Sequence, residues 1–155
     1  MCKLSWSLSI ILFFALAILS YKFIPNRIDN PGVESADERQ ALNLNQVERD
    51  LVLTEMRTFL SSVQTITEGL SKEDMSQVKK AARASGVLAQ QEVPEALMKK
   101  LPLSFKKLGR DTHKKFDLLA LDAEQLGDPQ HTLQQLSELM NNCVACHNTY
   151  RIELK

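Results

Sequence analysis

The chain has no surplus of charge of either sign, since 19 Lys and Arg balance 19 Asp and Glu. It therefore lacks the basic excess that draws proteins to phosphate backbones, and nucleic acid is not expected as a partner. Turn-forming residues are scarce, with five glycines and five prolines, and aromatics make up only 6%. Together with long stretches of Leu, Ala, Gln, Glu and Lys, this favours helix over strand, and nothing in the sequence reads as a sheet. Three cysteines are too few for a disulfide framework, and two of them fall in one tight cluster while Cys2 sits at the N-terminus. What remains is a chain of 155 residues, a quarter of them charged, long enough for one compact domain with a single core.

Hydrophobicity is concentrated at the start. Residues 1–24 open with a single Lys3, run through an apolar stretch that includes Trp6, Leu8, Ile10, Ile11, Leu12, Phe13 and Phe14, and reach the small-x-small pattern Ala15-Leu16-Ala17. This is the layout of an export signal. Apolar residues continue through Ile18, Leu19, Phe23 and Ile24, so the run approaches the ~20 residues that span a bilayer. Cleavage after Ala17 and retention as a membrane anchor through residues 4–24 both fit, and either implies an exported protein, soluble in the periplasm or held at the inner membrane. Cys2 lacks the usual context of a lipid-modified cysteine and reads as a bystander. Residues 25–40 turn polar and carry Pro25 and Asn30-Pro31-Gly32, which suits a flexible linker. The folded domain is expected over residues 41–155.

Within it, four amphipathic helices are expected, and no repeat or second domain. From about Leu44, the residues Val52, Met56, Phe59, Leu60, Val63, Ile66 and Leu70 recur at steps of three and four up to Gly69, lining one helix face. Ser71, followed by Lys72-Glu73-Asp74, offers an N-cap and acidic first turn for a second helix with Met75, Val78, Ala82, Ser85 and Leu88 or Ala89 inward. Pro94 interrupts, and a short helical piece from Glu95 to Leu101 precedes Pro102. A third helix carries Phe105, Leu108, Thr112, Phe116, Leu119, Ala123 and Leu126 and stops at Gly127. Asp128-Pro129 then opens the fourth, since a proline at the first helical position loses only an N–H that has no partner. Short connections between comparable helices suit an antiparallel four-helix bundle, an all-α fold that builds cofactor sites between facing helices.

The fourth helix carries the chemistry. Leu133, Leu136, Met140, Cys143, His147 and Tyr150 form its stripe, and Cys143-Val144-Ala145-Cys146-His147 lies within it. On a helix, positions three and four apart are neighbours, so both thiols and the imidazole project to one side and can meet one planar ligand. Cys-x-x-Cys-His is the attachment sequence of a c-type haem: two thioethers fix the macrocycle and the histidine reaches its iron. A redox-active dithiol wants a strand-helix-strand setting, and a zinc site wants a second ligand pair that neither His113 nor His131 forms by spacing. The expected cofactors are therefore one covalent haem c and its iron.

At this point the chain resembles the cytochrome c-prime family and its low-spin relatives of the cytochrome c-556 type, class II c-type cytochromes. These are four-helix bundles whose attachment motif lies near the C-terminus and is followed by an aromatic and a basic residue, here Tyr150 and Arg151. The Gly127-Asp128 turn is also similar to theirs. The resemblance covers roughly residues 41–155 and is strongest in the last helix. It implies that His147 is the proximal iron ligand and that Arg151 lies in the haem vicinity. It leaves dimerisation open, since similar bundles form homodimers.

The resemblance also frames the question of function. Low-spin relatives place a methionine on helix one as second axial ligand, and Met56 lies on the inward face there; a Met/His pair raises the iron's potential and suits electron transfer. Other members leave the iron five-coordinate beneath an apolar residue. Aligning Arg49 with the arginine that often stands four residues before that distal position puts Leu53 in the pocket instead. The first arrangement implies an electron carrier with redox partner proteins, the second a protein that binds nitric oxide or carbon monoxide. Enzymatic turnover is not expected, because no acid and base residues flank the motif in sequence.

Overall fold

The computed structural model describes residues 13–16 and 37–155. The chain divides into two compact units, Met1–Glu38 and Arg39–Lys155. In the first, residues 13–16 are helical; the rest of the signal or anchor segment 1–24, and the linker 25–40 as far as residue 36, lie outside the described residues. Among the described residues no helix is long and apolar enough to cross a membrane.

The second unit is mostly helical. Strand β1 (Gln40–Leu44) leads into α1 (Gln46–Ser71) and α2 (Met75–Arg83); a 3-10 segment (Val87–Glu92) and the short α3 (Glu95–Lys100) follow; then come α4 (Leu103–Gln125), α5 (Pro129–Thr149) and strand β2 (Tyr150–Leu154). The two strands pair in parallel, with Gln40 opposite Tyr150 and Leu44 opposite Leu154. This corrects the expectation of no sheet, and with it the placement of Leu44 and Tyr150 in helices. Leu42 and Leu44 are buried while Asn43 between them is exposed, an alternation too brief in a five-residue segment to outweigh its helical surroundings. The pairing ties the two ends of the unit together, and the Lys155 amide extends it by donating to the Leu44 carbonyl at 3.0 Å.

Caps set the helix boundaries. Asn45 accepts from the Glu48 amide at 2.9 Å while Glu48 accepts from the Asn45 amide at 3.0 Å, a reciprocal capping box that starts α1. Glu48 also pairs with Lys100 at 2.6 Å, fastening the start of α1 to the end of α3. The second helix is capped by Asp74, not Ser71: α1 runs on through Gly69 to Ser71, and the Asp74 carboxylate accepts from the Gln77 amide at 2.9 Å. Gly69 is needed there because a Cβ would lie 2.8 Å from Val78 Cγ2, so the close approach of α1 and α2 forbids a side chain. Also contrary to the sequence pattern, α2 ends at Arg83, leaving Leu88 exposed in the 3-10 segment. Asp128 caps α5 as expected, accepting from the amides of Gln130 and His131, with Pro129 at the first position. Gly127 adopts φ +61°, the left-handed conformation that ends helices.

The interior is two apolar clusters, not one core. The first joins Ile66, Val78, Ala82, Phe116, Leu119, Ala120, Ala123, Leu136 and Leu139 from α1, α2, α4 and α5. The second joins Leu42, Leu44, Val52, Leu97, Leu101 and Tyr150, around the strands, α3 and the start of α1. Each fully buried Leu, Ile or Phe among them contributes about 1.5–3 kcal/mol of hydrophobic stabilisation. Along α1 and α5 the stripe read from the sequence is not wholly inside: Leu60 is 70% exposed and Met140 43%.

Candidate functional site

Those exposed apolar residues border a cleft of about 680 Å³, within the range of small-molecule and cofactor sites. Helix α5 contributes Met140, Cys143, Val144, Cys146 and His147 to its lining; α1 contributes Leu53, Met56, Phe59 and Leu60; α3 and α4 contribute Met98, Phe105 and Leu108. The two thiols fall on different sides of the divided interior. Cys143 packs against the first apolar cluster and Cys146 against the second. Both are half-buried and free of disulfides. His147, in the last turn of α5, is exposed at the cleft edge.

Helix α5 ends at Thr149, two residues past the motif, and the strands secure that end. The Arg39 guanidinium donates to the His147 carbonyl at 3.0 Å, placing a cation on one of the helix's last acceptors. The Arg151 Nε donates to the Arg39 carbonyl at 3.0 Å, and its guanidinium also pairs with Glu153. Arg151 thus sits in β2 and is not among the residues that line the cleft. Tyr150 closes the same region, donating from its hydroxyl to Ser104 Oγ at 2.6 Å with its ring edge-on to Phe105.

The polar groups on the inner wall are satisfied by the protein. His113, buried on α4, bonds through Nδ1 to the Ser85 and Gly86 carbonyls at 2.8 and 3.1 Å and through Nε2 to Glu55 at 3.1 Å. Burial drives its pKa down, but the Glu55 carboxylate and the two carbonyls outweigh that and raise it above the ordinary histidine value. Asn142 donates to Asp111 at 2.8 Å and to Thr112 at 3.2 Å. With these groups engaged, the cleft offers ligands a mainly apolar surface. The Glu55–His113 pair is an acid and a base brought together from positions 58 apart, which no local spacing announced.

That pair couples stability to pH. Because the His113 pKa is higher in the fold than in the unfolded chain, the pair's contribution is complete below the ordinary histidine value and is lost as pH rises through the folded value. Glu55 is 31% exposed, so the effect is screened to the order of 1 kcal/mol. The urea midpoint is expected to fall with rising pH over that window, and Glu55→Gln is expected to flatten the dependence. A midpoint that climbs through the same window would contradict the pairing.

The cysteines are not primed as a dithiol. Burial pushes the Cys143 thiol up, and burial followed by the neighbouring Cys143 does the same to Cys146, whereas reactive dithiols need a lowered thiol pKa. No protein-family model matches this sequence, and no curated protein or solved structure is significantly similar to it. Among the described residues no three His, Cys, Asp or Glu side chains gather as a metal-ion site. A flat apolar group anchored at two sulfurs fits the donor set: two thiols and an imidazole on one helix, apolar residues of three other helices around the cleft. Leu53 and Met56 both line it, so the structure brings both distal candidates to the site, and it adds Met98 and Met140 to the thioethers within the lining. His131 lies elsewhere, paired with Asp122 at 3.1 Å.

Proposed function

We propose that this chain is a monohaem c-type cytochrome with the helix arrangement of a class II bundle, α1, α2, α4 and α5 being its four helices. The observation that carries the proposal is that Cys143, Cys146 and His147 border one apolar cleft at the seam between two hydrophobic clusters. In this reading Cys143 and Cys146 would hold one haem c through thioethers, each thiol S–H adding across one vinyl group of the porphyrin, and the His147 imidazole would ligate its iron. The haem iron supplies one-electron chemistry. The protein's part is to hold, orient and exclude water: apolar walls disfavour the more highly charged oxidised state and so raise the potential. The function is electron transfer between redox partner proteins after export, in the periplasm or at the inner membrane, with residues 1–24 as signal or anchor. Met56 would supply the second iron ligand, because it lines the cleft from α1 and is the methionine on that helix.

Leu53 lines the same cleft and supports a second reading, a five-coordinate haem that takes up nitric oxide or carbon monoxide. Optical spectra of the haem-loaded protein separate the two. Low-spin bands with a methionine-to-ferric-iron absorption are expected, and Met56→Ala should abolish that absorption and open the iron to carbon monoxide. High-spin spectra in the parent protein, unchanged by Met56→Ala, would hand the site to Leu53.

A further inference from the structure

Although the chain is neutral overall, its charge is unevenly placed. Between residues 99 and 115 lie Lys99, Lys100, Lys106, Lys107, Arg110, Lys114 and Lys115 against Asp111 alone, so this stretch carries +6 and the remainder −6. Several of these charges are neutralised locally: Lys100 pairs with Glu48, Lys99 with Glu95 and Lys115 with Asp111. Among the described residues Lys106 donates only to the Met98 carbonyl, at 3.2 Å. Lys107 and Arg110 are exposed and make no ion pair among the described residues.

These unneutralised cations line one groove. It has a volume of about 310 Å³ between α3 and α4, with Met98 and Leu103 as apolar lining beside Lys99, Lys106, Lys107 and Arg110; Glu95, its one acidic residue, is engaged by Lys99. Leu103 is 64% exposed. Met98 and Lys106 line this groove and the cleft beside the cysteines alike, so the two concavities share part of their lining.

We propose that this groove docks an acidic segment of a partner protein. Charge complementarity supplies attraction and orientation, while Met98 and Leu103 supply an apolar floor of the kind found inside a polar interface rim. A concavity fits a protruding peptide segment better than it fits a flat lipid surface. That the partner is a redox protein rests on the haem reading; that it is acidic rests on the groove alone. A partner seated there lies against the wall of the cleft, where electron exchange needs it.

Binding of fluorescein-labelled poly-L-glutamate to the full chain, followed by anisotropy at an ionic strength of about 20 mM, tests this without relying on haem. The triple variant Lys106→Glu, Lys107→Glu, Arg110→Glu is expected to lose about tenfold or more in affinity, as is the parent protein at about 300 mM salt. Lys72→Glu, Lys79→Glu, Lys80→Glu changes net charge equally and should cost less than about threefold. Equal losses in the two triple variants would reduce the attraction to net charge and overturn the proposal. So would groove-dependent binding to vesicles of anionic phospholipid that exceeds binding to polyglutamate, which would identify a membrane contact. If circular dichroism shows the groove variant unfolded, Lys106→Gln, Lys107→Gln must give the loss instead. Colourless protein that still binds polyglutamate through the groove would sink the haem reading and leave this one standing.

Discussion

Replacing Cys143 and Cys146 together by alanine is expected to leave no covalently held pigment in protein made with a working maturation apparatus. The parent chain should keep its colour in the protein fraction after extraction with acidified organic solvent, and the double variant should lose it entirely. The reason is geometric: on α5 the two residues are three apart, roughly 5–6 Å between Cβ atoms, and both border the cleft, so each supplies one sulfur link. Each single variant retains one link and should stay coloured with a shifted absorption band. A further effect on stability is expected, because a covalently held apolar group stays on the unfolded chain but is buried against the two apolar clusters only in the fold. The double variant should therefore melt at a lower temperature than the loaded parent. Pigment that extracts from the parent, or that survives extraction in the double variant, would end the haem interpretation.

Phe116→Ala should be the most damaging single change to the fold, at about 3–5 kcal/mol. Phe116 is wholly buried and packs its ring on Phe59 at a centroid separation of 5.5 Å with the planes 19° apart. Phe59 in turn lines the cleft and touches the His113 ring at 4.9 Å, so the loss removes support from the wall that carries the Glu55–His113 pair. Against a total of about 5–15 kcal/mol for an ordinary domain, this leaves little reserve. Chemical denaturation at fixed pH measures it, and Phe116→Leu should recover most of the loss by restoring volume. A cost below about 1 kcal/mol for the alanine variant would mean that this cluster is not packed as described.

Much of the helical framework was legible because its signals are local. Asp128-Pro129 starts α5 through a cap whose chemistry spans three residues, and Gly127 ends the preceding turn at a positive φ that its missing Cβ permits. The start of the second helix is not fixed by local chemistry, because Ser71 and Asp74 are both competent caps. Ser71 is the last residue of α1 and Asp74 caps α2, while Gly69 lies against Val78, a contact between two helices that neither segment encodes alone. Leu60 and Met140 lie on the apolar stripes of α1 and α5 yet border the cleft, because periodicity reports which face of a helix a residue occupies, not whether another surface covers that face.

The placement of both thiols and the imidazole on one side of one helix came from the amino-acid order alone, since a 3.6-residue turn permits nothing else for positions 143, 146 and 147. The strand pairing of Gln40 with Tyr150, the Glu55–His113 contact and the cleft that takes in Leu53, Met56 and the cysteines were decided by tertiary packing. Local spacing determines direction. Distance between segments far apart in the chain is set only when helices of particular side-chain volume settle against one another, and that depends on every residue of the core at once.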